Sequence, residues 1–258
     1  NLLQAGAVDV FPKPQGGEAA DYEAIKQQLI TKIKIVAGVS VFTKPNRKRK
    51  SQPTSQQQNQ SNTNNQEKGI QIITIGSSTG GPNALSKILT QLKPHAITLP
   101  IVCVQHISPG FLSGLVNWLG VESGLKVKIA ADKELPVAGT VYFAPENYHL
   151  GIDNRGRFTY LKQAAVDGHK PSVTVTFTSI AEYYGHQALA ILLTGMGKDG
   201  AAGMKAIHER GGITIAQDEK TCIVFGMPKE AIALNAVRHI LPLERIIPFL
   251  TKNLALFI

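Results

Sequence analysis

From residue 69 onward the apolar residues fall into short unbroken blocks, several followed by stretches in which they recur every third or fourth position. Blocks at 70–75, 99–105, 140–144, 188–193, 212–216 and 237–241 predict strands. Helical spacing over 82–92, 201–210 and 244–254 predicts helices after the first, fourth and last of these. Strands that are apolar along their whole length must be covered on both faces. The pattern therefore predicts an α/β fold: a doubly wound, mainly parallel, Rossmann-like sheet with helices on both faces. In such sheets ligands bind outside the carboxyl ends of the strands.

Upstream the pattern stops. Between Asn46 and Lys68 there is no Val, Ile, Leu, Met or aromatic residue, and 51–67 is almost wholly Gln, Asn, Ser and Thr. Ordering such a backbone costs about 1–2 kcal/mol per residue with no apolar burial to offset it, so 44–68 is read as a disordered, flexible linker. Residues 1–43 hold one apolar stretch at 7–11, a Pro- and Gly-rich turn at 12–17, and helical spacing over 21–36 (Tyr22, Ile25, Leu29, Ile33). One strand and one helix close no core, so this piece either docks on the third segment, 69–258, or is the end of another domain.

Composition narrows the classes. With 43% hydrophobic and 17% charged residues in 258, a sizeable core is available and wholesale disorder is excluded. The net charge of +9 suggests nucleic acid until it is located. Lys44, Arg47, Lys48, Arg49, Lys50 and Lys68 all sit in the linker stretch against a single acid, Glu67, so the folded part is only mildly basic and no nucleic-acid partner is expected. Two cysteines, Cys103 and Cys222, are too few for a disulfide scaffold or a structural zinc cluster and fit a reducing compartment. No apolar run nears the roughly 18 residues of a membrane span, and no basic-then-apolar signal opens the chain. The expectation is a cytoplasmic protein without membrane insertion.

Three predicted strand ends carry chemistry. The first leads into Gly76-Ser77-Ser78-Thr79-Gly80-Gly81-Pro82. This loop reads first as a glycine turn with Pro82 opening a helix, and otherwise as an anion cradle without P-loop spacing or as a hydroxyl nucleophile beside helix N-terminal amides. The second ends in Val104-Gln105-His106, and the third leads through Thr194-Gly195-Met196-Gly197-Lys198 to Asp199. Asp199 alone reads as an N-cap for the helix that follows. Together the three ends deliver Ser, His and Asp: a nucleophile, its base and the orienter of that base. Spacing does not choose between Ser77 and Ser78. Among the other histidines only His149 competes, and Cys103 lies at an odd offset from His106, which sends it to the opposite face.

These loops resemble the hallmark segments of the CheB-type chemotaxis protein-glutamate methylesterases. The likeness rests on 76–82, 104–106, 193–200, Phe225-Gly226-Met227-Pro228, Val141 to Pro145 with His149, and His169-Lys170-Pro171-Ser172, at that family's spacing. It implies Ser78 as nucleophile, His106 as base, Asp199 as its orienter and the Met196 backbone amide as an oxyanion donor, with Thr79 in the same active-site loop. It also implies a serine hydrolase that demethylates γ-glutamyl methyl esters on the cytoplasmic helices of chemoreceptors, and deamidates glutamine there, without metal or other cofactor. The chain departs from the family pattern at Leu112 and Trp118, commonly Thr and Arg, and at Thr174, usually Asp; none is a triad position.

Residues 3–14 resemble the end of a response-regulator receiver domain, with Lys13 in the place of its switch lysine. On that resemblance 1–43 is a receiver remnant without a phospho-accepting Asp. A histidine kinase would be a partner only of a full receiver, and activity is expected to ignore phosphodonors. The rival class, a nucleotide or methyl-donor module, would need an acidic ribose partner about 20 residues after the first turn, and 98–104 offers none.

Overall fold

The computed structural model describes residues 69–92 and 98–254, together with Ala7, Phe11, Lys26, Leu29, Ile30, Ile33 and Ala37. Of these scattered positions, Lys26, Leu29, Ile30, Ile33 and Ala37 are helical. The remainder of 1–43 and all of the linker expected at 44–68, its basic cluster included, lie outside the described residues.

Seven strands form one sheet, all paired in parallel: β1 Ile72–Ser77, β2 Ile101–Gln105, β3 Lys126–Ile129, β4 Thr140–Phe143, β7 Ala188–Leu192, β8 Ile213–Gln217 and β9 His239–Leu241. Their order is β3-β4-β2-β1-β7-β8-β9. A separate antiparallel hairpin, β5 His149–Ile152 with β6 Phe158–Leu161, is inserted after β4. The six helices described are α1 Gly81–Leu92, α2 Leu112–Ser123, α3 Val173–Tyr184, α4 Ala201–Glu209, α5 Met227–Ala233 and α6 Ile246–Leu254. The chain steps from β1 to β2 on one side and returns to β7 on the other, so the winding reverses at the centre of the sheet. That reversal opens a crevice above β1 and its neighbours. No described helix is long and apolar enough to cross a membrane.

Alternate strand residues feed two cores. Ile73, Ile75, Cys103, Leu189 and Ile191 pack with Leu85, Ile88 and Leu89 of α1, Leu115 and Leu119 of α2 and Leu250 of α6. Ile72, Val102, Val104, Ala190 and Leu192 face the other way, toward Phe177 and Ile180 of α3 and Met204 and Ile207 of α4. The period of two along each strand thus becomes two helical layers.

The six expected strands form within two residues of their predicted bounds. Absent from the pattern were β3, the β5–β6 hairpin, and α2, α3 and α5. Helix α3 shows the reason best: Val173-Thr174-Val175-Thr176-Phe177-Thr178 alternates as a strand does, yet it is helical. Ser172 caps it, its hydroxyl accepting from Val175 N at 3.3 Å. Burial of Val173, Thr176, Phe177, Ile180 and Ala181 along one face follows the helical period instead. Gly76 is required beneath this helix, because a Cβ there would overlap the Val173 side chain.

Candidate active site

Register brings the three strand ends level. Ser77 pairs with Gln105 and Gly76 with Leu192, so Ser78 and His106 each stand one residue beyond their strand. Ser77 is fully buried and its hydroxyl donates to Gln105 Oε1 at 2.7 Å. Ser78 is half-buried and lines an open cleft of about 650 Å³, together with Thr79, His106, Leu112, Glu146, His169 and Met196. A tight turn presents it: Gly81 N donates to Ser78 O at 2.7 Å, and Gly80 takes φ +79°.

His106 Nε2 donates to Asp199 Oδ2 at 2.8 Å, across 93 residues of chain. The other ring nitrogen, Nδ1, is buried without a hydrogen-bond partner. Asp199 is 1% exposed and takes five hydrogen bonds. Besides His106, these come from Val173 N (2.8 Å), Thr174 N (2.9 Å), Gly200 N (2.9 Å) and the Ser172 hydroxyl (2.7 Å). The carboxylate therefore does not cap the helix after it, whose N-cap is Gly200; it sits at the N-terminus of α3, where helix amides favour negative charge. Burial pushes the Asp199 carboxyl up, but the hydrogen bond and charge of His106 with the Thr174 amide and Ser172 hydroxyl outweigh it. The carboxyl is held well below the usual carboxylate range.

The competitors fall away on geometry. His149 is fully buried, its Nδ1 accepting from Ser172 N at 3.0 Å and its Nε2 donating to Ala164 O at 2.9 Å, so both ring nitrogens are spent on structure. Cys103 is buried in the opposite core, and that burial pushes its thiol far up, away from thiolate. Cys222 is likewise pushed up to about 12, chiefly by burial.

Met196 and Thr79 both line the cleft. Gly195 O, one end of the peptide whose other end is Met196 N–H, accepts from Gly226 N at 3.1 Å and Met227 N at 2.9 Å. A trans peptide sets N–H opposite to C=O, so the Met196 N–H faces away from α5. Gly195 also passes close to the serine, since a Cβ there would come 2.8 Å from Ser78 Cβ. Thr79 O is fixed by the Thr194 hydroxyl at 3.0 Å.

The residue type that sequence reasoning passed over is Gln105. Its Nε2 donates to Ser78 O at 2.9 Å and to His106 O at 2.7 Å, while Oε1 accepts from Ser77. One buried amide thus clasps the nucleophile loop to the base loop. Gln105→Leu keeps the volume and removes all three bonds. It is expected to lower stability by about 2–3 kcal/mol in urea unfolding, and to slow acylation of the site by a fluorophosphonate by about 10- to 100-fold.

His169 was visible only as part of a motif; its ring lies on that of His106, centroids 3.8 Å apart and planes 9° apart. The three departures from the family pattern fall in different places. Leu112 lines the cleft, Trp118 packs against the α1–α2 core, and Thr174 sits at Asp199, its hydroxyl accepting from Gly200 N at 2.7 Å.

Residues 73–250 match the family model described as CheB methylesterase. The chain is 41% identical over 255 residues to a protein-glutamate methylesterase/protein-glutamine glutaminase of Nitrosospira multiformis, covering 99% of this chain and 71% of that protein. A protein-glutamate methylesterase of Myxococcus xanthus, FrzG, is 38% identical over 246 residues, covering 95% of this chain and 70% of that one. Among solved structures, the Thermotoga maritima CheB methylesterase catalytic domain superposes with a TM-score of 0.67 at 40% identity, over 71% of this chain and 98% of that one.

Proposed function

The chain belongs to the CheB methylesterase family, and on that premise we propose that it hydrolyses γ-glutamyl methyl esters of chemoreceptor helices through Ser78, His106 and Asp199. The observation that carries the mechanism is the His106 ring. Its Nε2–H is committed to an ionised, five-bonded carboxylate, which leaves Nδ1, without a hydrogen-bond partner, as the ring's base, and Ser78 and His106 line the same cleft. Nδ1 takes the Ser78 proton as Oγ attacks the ester carbonyl. The oxyanion meets the Met196 amide, with Thr79, the residue after the nucleophile, supplying the second side; one such donor is typically worth about 100- to 1000-fold. The imidazolium then gives its proton to the departing methanol. Water, deprotonated by the same nitrogen, releases the glutamate carboxylate from Ser78. With glutamine the leaving group is ammonia and the steps are the same.

The chemoreceptor helices proposed as substrate are cytoplasmic, which would place the reaction in the cytoplasm; among the described residues no helix is long and apolar enough to cross a membrane. We read 1–43 as the end of a receiver domain and 44–68 as its linker, on the resemblance of residues 3–14 to the end of such a domain.

The test is trapping with a fluorophosphonate alongside methanol release from a methylated receptor fragment. Label is expected on Ser78, with His106→Gln abolishing both label and methanol. Label on Ser77, or loss of activity in His149→Gln with retention in His106→Gln, would overturn the assignment.

A further inference from the structure

The His106 ring turns about its Cβ–Cγ bond, and its one side-chain hydrogen bond, from Nε2 to Asp199, restrains that turn at one edge. The opposite edge, which carries Nδ1, has no hydrogen-bond partner to hold it. A flat contact on the ring face resists the same turn, and one element supplies it.

Val166 and His169 exchange backbone hydrogen bonds, Val166 N to His169 O at 3.1 Å and His169 N to Val166 O at 2.9 Å. Asp167 and Gly168 between them take φ +49° and +79°. Two left-handed residues in an Asp-Gly pair make the mirror-image two-residue hairpin turn, a stiff connection. Asp167 Oδ1 lies 3.2 Å from Lys198 Nζ, on the loop that carries Met196 and Asp199. Three residues after His169, Ser172 begins the cradle of Asp199. The His169 ring is thus held from both flanks, flat on His106.

We propose that His169 is a positioning residue for the esterase: a flat plate that fixes the His106 ring plane, so that Nδ1 holds the orientation in which it takes the Ser78 proton, and that keeps water off that face. The proposal rests on the methylesterase reading of the same site. Neutrality matters because the reaction charges His106 transiently, and a second cation stacked at 3.8 Å would oppose it. Burial, and next the charge of a protonated His106, push the His169 imidazole down to about 4; Asp199 and Asp167 oppose this more weakly. At neutral pH the plate is uncharged.

The experiment measures kcat and KM for methanol release from a methylated receptor fragment, with thermal melting, for the full chain and for His169→Ala, His169→Asn and His169→Phe. The Ala and Asn forms should lose about 10- to 100-fold in kcat, the scale of a misplaced base, with KM within about twofold. The Phe form keeps a flat ring and should recover kcat to within about threefold. Ser78 acylation by fluorophosphonate, which needs no receptor docking, should follow kcat. Full kcat in His169→Ala would overturn the proposal. So would a raised KM at unchanged kcat, which marks a substrate contact, or a Phe form as slow as Ala, which marks a polar role. An unsubstituted chain that releases no methanol would sink the methylesterase reading instead, a result distinct from any of these.

Discussion

Asp199→Asn is expected to lower kcat by about 10⁴-fold, the loss seen when the orienting carboxylate of a serine-histidine pair becomes an amide. The reason here is tautomeric. An amide nitrogen in the place of Oδ2 would face both His106 Nε2–H and Val173 N–H, so the imidazole would move its proton to Nδ1 and cease to be a base. Turning the amide over instead sets its nitrogen against the Thr174 and Gly200 amides. Placed the first way the amide nitrogen leaves Val173 N–H without an acceptor, and placed the second way it leaves the Thr174 and Gly200 amides without one, so stability should fall as well, by about 2–4 kcal/mol. The sign of its pH dependence follows from the depressed Asp199 carboxyl. A carboxyl held below its ordinary value of 3.8 contributes stability that is present above about pH 4 and lost as pH falls below it. Urea unfolding should therefore show the gap between parent and Asn form widest at neutral pH and closing in acid. A gap that stays constant to pH 3 would contradict the charged, hydrogen-bonded state described for Asp199.

Ser78→Ala should lower kcat by about a million-fold, as removal of the nucleophile does in other triad hydrolases, with little change in melting temperature because the hydroxyl faces the cleft. The neighbouring change should behave in the opposite way. Ser77→Ala removes a fully buried hydroxyl that donates to Gln105, leaving Oε1 unpaired. It should lose about 1–2 kcal/mol of stability, while methanol release continues at a rate that depends on how far the Gln105 clasp relaxes. Methanol release by Ser78→Ala above a few per cent would mean that the hydroxyl beside the cleft is not the nucleophile.

Much of this architecture was legible before any coordinates. The central strands could be read because each is apolar over its full length, and the residues at their ends inherit positions from the sheet. That strand ends deliver a Ser, a His and an Asp was legible for the same reason, whereas the choice of Ser78 over Ser77 came only from the resemblance to the CheB-type methylesterases. What the pattern hid was set by tertiary contact. The alternating Val and Thr residues at the start of α3 favour a strand locally, and only the Ser172 cap, the Asp199 carboxylate and the core beneath make them a helix. Asp199 looked like the cap of its own helix, since nothing in its neighbourhood points to amides some 25 residues earlier. Gln105 looked like an ordinary polar residue at a strand end, because its three partners belong to the backbone and to Ser77. A histidine stacked on another histidine leaves no periodic trace at all.

The distance along the chain between His106 and Asp199 also bears on when the enzyme becomes an enzyme. Ser78 and His106 meet through adjacent parallel strands, 28 residues apart in register. The carboxylate comes from beyond the β5–β6 hairpin and α3 in the chain, so its contact with His106 closes a loop of 93 residues. Loops of that length close late, because their entropy must be overcome before the contact repays it. A chain emerging from the ribosome, or one partly unravelled, would hold its serine and histidine together without an orienter. On the proposed mechanism, hydrolysis therefore waits for the segment through Asp199 to dock, and a chain folded only as far as His106 would lack the group that orients its base.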